Sequence, residues 1–359
     1  MGKKQRTFKG NGITEGVIWK QLLFFFFPIM LGSLFQQLYN MADAMIVGNF
    51  VGKQALAAVG GTTSVLINLL VGFFVGLSSG ATVVISQFFG GHSDREVSRS
   101  VHTAIMLALT GGAILMIVGI AAARPILQLM QTPEDVMDYS VTYIRIYFLG
   151  MIPSSIYNIG SGILRAVGDA KRPLYFLIAA CFTNIVLDLL FVVVFHWGVA
   201  GAGIATVMSQ CLSAVLVCLV LSRSTESYRV MWHKVRFDSV MLPRIIRIGI
   251  PAGLQSVMYN AANIVVQTSM NTFGTDNVAS WTVFEKMDGI YWLVVSAFGV
   301  AVTTFVGQNF GARKFERVKK SVRVSLAMCL SIAIGLSILL ICLCPYIFLL
   351  FTSDTAVLQ

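Results

Sequence analysis

The sequence predicts an all-α polytopic membrane protein built from two parallel-repeat helical lobes, six helices followed by an incomplete second lobe of three. Three observations carry this reading. Hydrophobic residues make up 56% of the 359, charged residues 12%, and the mean hydropathy is +0.79, too apolar for a soluble domain of this length. Charge-free runs such as 21–42, 54–91 and 324–353 reach or exceed the 20 or so residues that span hydrocarbon. The run SQFFGGHSDREVSRSV at 86–101 returns as GQNFGARKFERVKKSV at 307–322, each directly after a long apolar stretch.

Taken in order, the apolar runs and their breaks predict nine helices: 21–47, 55–86, 100–120, 139–161, 173–196, 199–221, 245–271, 280–307 and 324–350. The fifth and sixth are divided at His196-Trp197-Gly198, where turn-forming glycines follow. The longest polar break, SRSTESYRVMWHKVRFDSVMLPR at 222–244, separates six helices from three. The expected organisation is an N-terminal lobe over 1–221, a basic linker over 222–244, solvated and facing lipid headgroups, and a partial C-terminal lobe over 245–359.

The repeat sets the relation between the lobes. Gln87, Phe89, Gly90, Val97, Ser100 and Val101 recur as Gln308, Phe310, Gly311, Val318, Ser321 and Val322, and Pro28 and Asn40 recur as Pro251 and Asn263 with two residues of slack. Six helices separate the copies, so both enter the bilayer in the same direction, about an axis along its normal. A repeat of this kind in lipid points to a transporter, because two similar halves can rock about a shared midplane site.

Net charge is +10, and its distribution decides what it means. With the N-terminus in the cytoplasm, 22 of the 26 Lys and Arg fall on the inner side, against Lys53 and Arg124 on the outer, with Arg145 and Lys286 inside helices. That asymmetry orients a multi-pass protein of the cell inner (plasma) membrane and speaks against a nucleic-acid partner. Trp19 and Trp232 then lie near the inner interface, Trp197 and Trp281 near the outer one. The first helix has no small-residue cleavage site and carries Asn40 and Asp43, so it reads as a span and not a cleaved signal. All six cysteines sit inside helices without C-x-x-C spacing, and the four histidines share no face, so neither disulfide nor metal centre is expected.

Polar residues within the helices carry the chemistry, since lipid satisfies none of them. Gln36, Asn40 and Asp43 are spaced by four and three on the first helix; Asn184 and Asp188 are four apart on the fifth. Burying one carboxylate at midplane costs roughly 2.5–3.5 kcal/mol on insertion scales, so two without basic neighbours in sequence imply a hydrated pocket for a proton or small hard cation. Other features have plainer readings. Gly72, Gly76 and Gly80 mark a small-residue packing face. Glu285, Lys286 and Asp288 form a self-neutralising group, and Arg145 reaches the interface by snorkelling. Gly201-Ala202-Gly203 follows no strand and binds no nucleotide, while Met258 and Met287 suit an adaptable cavity.

The runs QQLYNMADAMIVGNFVGKQALAAVG (36–60) and LRAVGDAKRPLYFLIAACFTNIVLDLLF (164–191), with both Gln-x-Phe-Gly segments, resemble the multidrug and toxic compound extrusion (MATE) transporters over nearly the whole chain. The resemblance implies export of small organic, often cationic drugs or toxins in exchange for H⁺ or Na⁺. It implies a monomer in contact with membrane lipid, with no cofactor, no catalytic residues and no metal beyond Na⁺ at the coupling site. Family members that couple through the first lobe use positions matching Asp43, Asn184, Asp188 and Thr206. Substrate-lining positions are expected at Gln36, Tyr39, Asn40, Gln255 and Asn263. A lipid-linked oligosaccharide flippase of the same superfamily is the alternative, but it needs cavity cations, and only Arg145 and Lys286 are candidates. Two departures stand out. The sequence stops after nine of the family's expected twelve helices, at TSDTAVLQ, which reads as a fragment with unpartnered packing faces, and QSVMYNAAN at 255–263 lacks the acid some relatives carry for Na⁺.

Overall fold

The computed structural model describes residues 12–270 and 275–351. The N-terminal lysines and arginines before Gly12, the TSDTAVLQ tail and the side chains of Glu285, Lys286 and Cys344 lie outside the described residues. Eleven α-helices run in order: α1 Ile18–Phe50, α2 Lys53–Gly60, α3 Thr62–Gly90, α4 Asp94–Leu129, α5 Glu134–Leu149, α6 Met151–Ala166, α7 Lys171–Asp188, α8 Gly198–Arg223, α9 Met241–Met270, α10 Thr275–Gly311 and α11 Phe315–Phe351. No strand occurs among the described residues.

Each expected helix has a counterpart, and two are broken in ways the sequence pattern hides. The second divides at Gly61 into α2 and α3, and the fourth divides at Gly150 into α5 and α6 of 16 residues each. At 1.5 Å per residue each half is about 24 Å, short of the ~30 Å hydrocarbon core. Seven segments of the described residues are long and apolar enough to cross a bilayer: Ile18–Phe50, Lys53–Gly90, Asp94–Leu129, Lys171–Val194, Gly198–Arg223, Met287–Gly311 and Phe315–Leu343. α9 is 30 residues long, but Arg244, Arg247, Gln255, Asn260 and Asn263 dilute its apolar content.

α3 is the packing centre, touching α9 most extensively and also α4, α6 and α10. Its small-residue face explains the closeness. A Cβ added to Gly76 would fall 2.6 Å from Gly253 Cα, and one on Gly253 would fall 2.8 Å from the Phe73 carbonyl oxygen. Backbones therefore meet directly, which small residues permit inside lipid. Along the rest of α3, Val84 and Ile85 join Val101, Ile105, Ile163, Leu164 and Leu221 in the largest apolar core.

The two copies of the repeat meet at the end of the bundle that carries the basic loops. A Cβ on Gly90 would strike the carbonyl of Gln308, and a Cβ on Gly311 would strike the carbonyl of Gln87. Equivalent residues thus exchange equivalent contacts, as a local two-fold requires. Gln308 Nε2 donates to the Ala166 carbonyl at 2.6 Å. Next to it, the short 3₁₀ turn Gly12–Thr14 is held by donors from the last turn of α10 and just after it: Asn309 to the Ile13 carbonyl (3.3 Å), Lys314 to Thr14 (2.9 Å) and Arg317 to Ile13 (3.2 Å).

Residues 224–240, which join α8 to α9, dock on α4. Arg99 Nε and Nη2 donate to the two Asp238 carboxylate oxygens at 2.6 and 2.9 Å, and His102 Nε2 accepts from the Met231 amide at 3.0 Å. Asp238 Oδ1 also accepts from the Val240 and Met241 amides, capping the start of α9. The hydrogen bond from Arg99 holds the Asp238 carboxyl below the usual carboxylate range.

Candidate functional site

Three helices bring the four predicted coupling residues together. α1 supplies Asp43, α7 supplies Asn184 and Asp188 on adjacent turns, and α8 supplies Thr206. α7 packs against both α1 and α8, and all four side chains are buried, with Asn184 and Asp188 at 0% exposure. Asp43 and Asp188 thus lie on two helices that pack directly against one another. Around them, Ile46, Val47, Tyr143, Val192, Val199 and Ala202 form an apolar wall.

Hydrogen bonding in this cluster is incomplete. Tyr143 Oη donates to Asp43 Oδ2 at 3.3 Å. Among the described residues, Asp43 Oδ1, both Asp188 oxygens and both polar atoms of the Asn184 amide have no partner. Thr206 gives its hydroxyl hydrogen to the Ala202 carbonyl at 3.0 Å, which leaves its oxygen able to accept. The ion pairs among the described residues join Arg99 to Asp238, Arg172 to Asp169, Lys314 to Glu15 and Lys319 to Glu316, and none reaches Asp43 or Asp188. Buried polar groups are ordinarily satisfied, so two carboxylates and an amide left with open acceptor positions form a set suited to a proton or an oxygen-loving monovalent cation.

Helix geometry changes at the same place. α7 ends at Asp188, and the next six residues, Leu189–Val194, form a turn of π-helix. The wider turn shifts the register of everything after Asp188, a feature that recurs where helices serve function. Phe191 from this turn stacks on Trp197 at 5.0 Å, tying it to the start of α8.

The expected substrate-lining residues fall elsewhere. Gln36 and Asn40 are exposed and Tyr39 is half-buried, although spacing puts them near the face of Asp43. α2 and α5 converge only on the last turns of α1, around Ile46 and Val47, so a shared face does not bring shared burial. Gln255 and Asn263 are exposed on α9 and share no hydrogen bond with the buried cluster among the described residues. Sequence reasoning missed Tyr143, whose hydroxyl reaches Asp43, and Tyr147, whose ring lies 6.2 Å from that of Tyr143. Their spacing of four on α5, beside Arg145, was the available signal.

The MatE family model matches residues 28–190 and 251–359, so both repeats are covered. The chain belongs to the MATE family. Its members are transport proteins, and the similarity extends to curated relatives. The probable multidrug resistance protein YpnP of Bacillus subtilis (strain 168) is 33% identical over 318 residues, covering 86% of this chain and 69% of YpnP. The probable multidrug resistance protein YoeA of the same organism is 29% identical, covering 86% of this chain and 68% of YoeA. Among solved structures, an outward-facing multidrug resistance MATE family transporter of the MOP superfamily superposes with a TM-score of 0.90 at 24% identity, covering 98% of this chain and 78% of that one. A MATE crystal structure in the straight conformation gives 0.87 at 25% identity, covering 96% and 77%. The helical arrangement is thus the MATE fold.

Proposed function

We propose that this chain exports small organic, often cationic compounds across the cell membrane in exchange for H⁺ or Na⁺, and that Asp43, Asn184, Asp188 and Thr206 form the coupling site. The observation that carries the reading is the burial of two carboxylates and an amide with open acceptor positions and no basic partner among the described residues. Relatives named as multidrug resistance proteins support the substrate class.

In this mechanism, the two carboxylates repel one another when the site is empty, and an entering cation or proton neutralises the pair. Neutralisation relaxes α1 against α7. Pro28 leaves a missing backbone hydrogen bond in α1, and the π turn beyond Asp188 gives α7 a second place to adjust, so the local change becomes a bend that reshapes the cavity. One charge moving through 100 mV yields about 2.3 kcal/mol, or roughly a 50-fold concentration ratio. Gln36, Tyr39 and Asn40 on α1 and Gln255 and Asn263 on α9 are the proposed substrate contacts.

The lobes of this proposal are 1–221 and 245–359, joined by the linker 222–244, in a monomer with its N-terminus in the cytoplasm. The reciprocal Gly90–Gln308 and Gly311–Gln87 contacts support a two-fold relation between them. Export of a fluorescent organic cation from membrane vesicles, with the pH and Na⁺ gradients collapsed in turn, tests the function. Asp43→Asn and Asp188→Asn are expected to abolish gradient-driven export; full coupling in both variants refutes the site.

A further inference from the structure

A separate cavity of about 1790 Å³ lies at the basic end of the bundle, between the start of α1, the first turn of α4, the α6–α7 turn and the linker. Five cations line it, Lys20, Arg95, Lys171, Arg172 and Arg229, against the acids Asp94, Asp169 and Glu226. Asp169 is already engaged. Arg172 pairs with it at 3.2 Å, and its Oδ1 accepts from the Lys171 and Arg172 amides. Four cations therefore face two remaining carboxylates.

Two further observations favour an anion there. Ser93, the residue before α4, makes no side-chain cap, so the first-turn amides beside Asp94 and Arg95 remain available as donors. Ser227, on the linker wall, has a shielded hydroxyl with no partner among the described residues. Apolar surface lies alongside these donors. Phe24, Phe25 and Phe89 line the cavity, with the Lys171 ammonium 4.7 Å from the Phe24 ring centre. Trp19 and Phe24 are 48% and 61% exposed next to it, as aromatic side chains at headgroup level are.

We propose that this cavity binds a phosphate-bearing anion, and that its source is the headgroup of an acidic phospholipid. Surplus donors and cations take the phosphate oxygens, and the adjoining aromatic surface takes the upper acyl chain, the pairing expected of a basic pocket between helices at a membrane face. This assignment is independent of the coupling site, which lies among other residues of α1, α7 and α8.

Native mass spectrometry of the full chain, titrated with phosphatidylglycerol or phosphatidylcholine, tests it. Phosphatidylglycerol is expected to be retained preferentially, about 30-fold less in the Arg95→Gln/Arg229→Gln double variant, and unchanged in a Lys320→Gln/Arg323→Gln control on α11. Glu226→Gln removes a repelling charge and is expected to raise retention about 5-fold, a gain that misfolding does not produce. Competition by millimolar inorganic phosphate, without preference for phosphatidylglycerol, supports the anion site and reassigns its source to a soluble phosphate. Equal losses in the cavity and control variants, or no response to Glu226→Gln, overturn the proposal.

Discussion

Asp43 sits on α1 and Asp188 on α7, far apart in sequence, and each stands out in the chain because a carboxylate inside an apolar run has no obvious partner. That contrast is what made the buried cluster readable: Asn184 follows from its spacing of four from Asp188, Thr206 from the family resemblance, and all four side chains are buried. Tyr143 had only its spacing of four from Tyr147 to mark it, a weak signal because a tyrosine in a membrane helix is ordinary, and the fold shows its hydroxyl 3.3 Å from Asp43. Tyr143→Phe keeps the ring and removes that donor. Thermal unfolding in detergent is expected to show a loss of about 1 kcal/mol, with the cation dependence of export shifted several-fold. An unchanged cation dependence would place Tyr143 outside the coupling site. Asp238 makes a separate residue-scale prediction. Its carboxyl is held low by Arg99, so its contribution to linker docking is present above the ordinary carboxylate range and is lost as pH falls below it. Hydrogen-exchange protection of residues 224–240, taken relative to the intrinsic rate at each pH, is expected to be flat from pH 8 to pH 5 and lower in Asp238→Asn throughout; protection equal to the unmutated chain would show that the linker is held by other contacts.

Among the elements, α3 and α9 show how far local pattern reaches. Gly72, Gly76 and Gly80 announce a close approach, and the partner face is built the same way, with Gly249 and Gly253 against Leu77 and Phe73. Sequence alone does not say which helix comes to meet that face, because spacing defines a stripe and not its neighbour. Gly76→Val is expected to force these backbones apart, destabilising the protein by about 1–3 kcal/mol as overpacking does, read as a lower unfolding temperature. A neutral result would mean that α9 slides aside cheaply. The ends expected for the first helix fall three residues from those of α1, whereas α4 starts six residues before and ends nine after the expected 100–120, and α11 starts nine before 324, because the flanking charged segments are themselves helical. The breaks at Gly61 and Gly150 and the π turn after Asp188 were not legible, since all three keep the apolar composition of their surroundings and are set by tertiary contacts. At Gly150, a side chain would run into Gln210 and Val207 of α8.

Over the whole molecule, the repeat was the most informative pattern, because it fixed both the number of helices between copies and their common direction. What it left open was how the copies touch. The structure answers with a shared contact at the basic end and a second clasp in which Arg317 donates to the Gly16 carbonyl and to Gln21 Oε1, its guanidinium 5.3 Å from the Phe305 ring centre. These contacts join the N-terminal turn to the second repeat. Opening at this end has to break them. Arg317→Gln is expected to weaken closure there, seen as faster cysteine labelling at an introduced Thr14→Cys site with little change in overall unfolding temperature; unaltered labelling would separate this clasp from any opening motion.

Gly90 lies against the carbonyl of Gln308 while Gly311 lies against that of Gln87, and this ties the histories of the two halves. A methyl group added in one copy meets the main chain of its twin, which has no side chain to withdraw. Neither copy is free to drift by itself at these positions, so a tolerated enlargement in one half is expected only alongside a backbone retreat in the other.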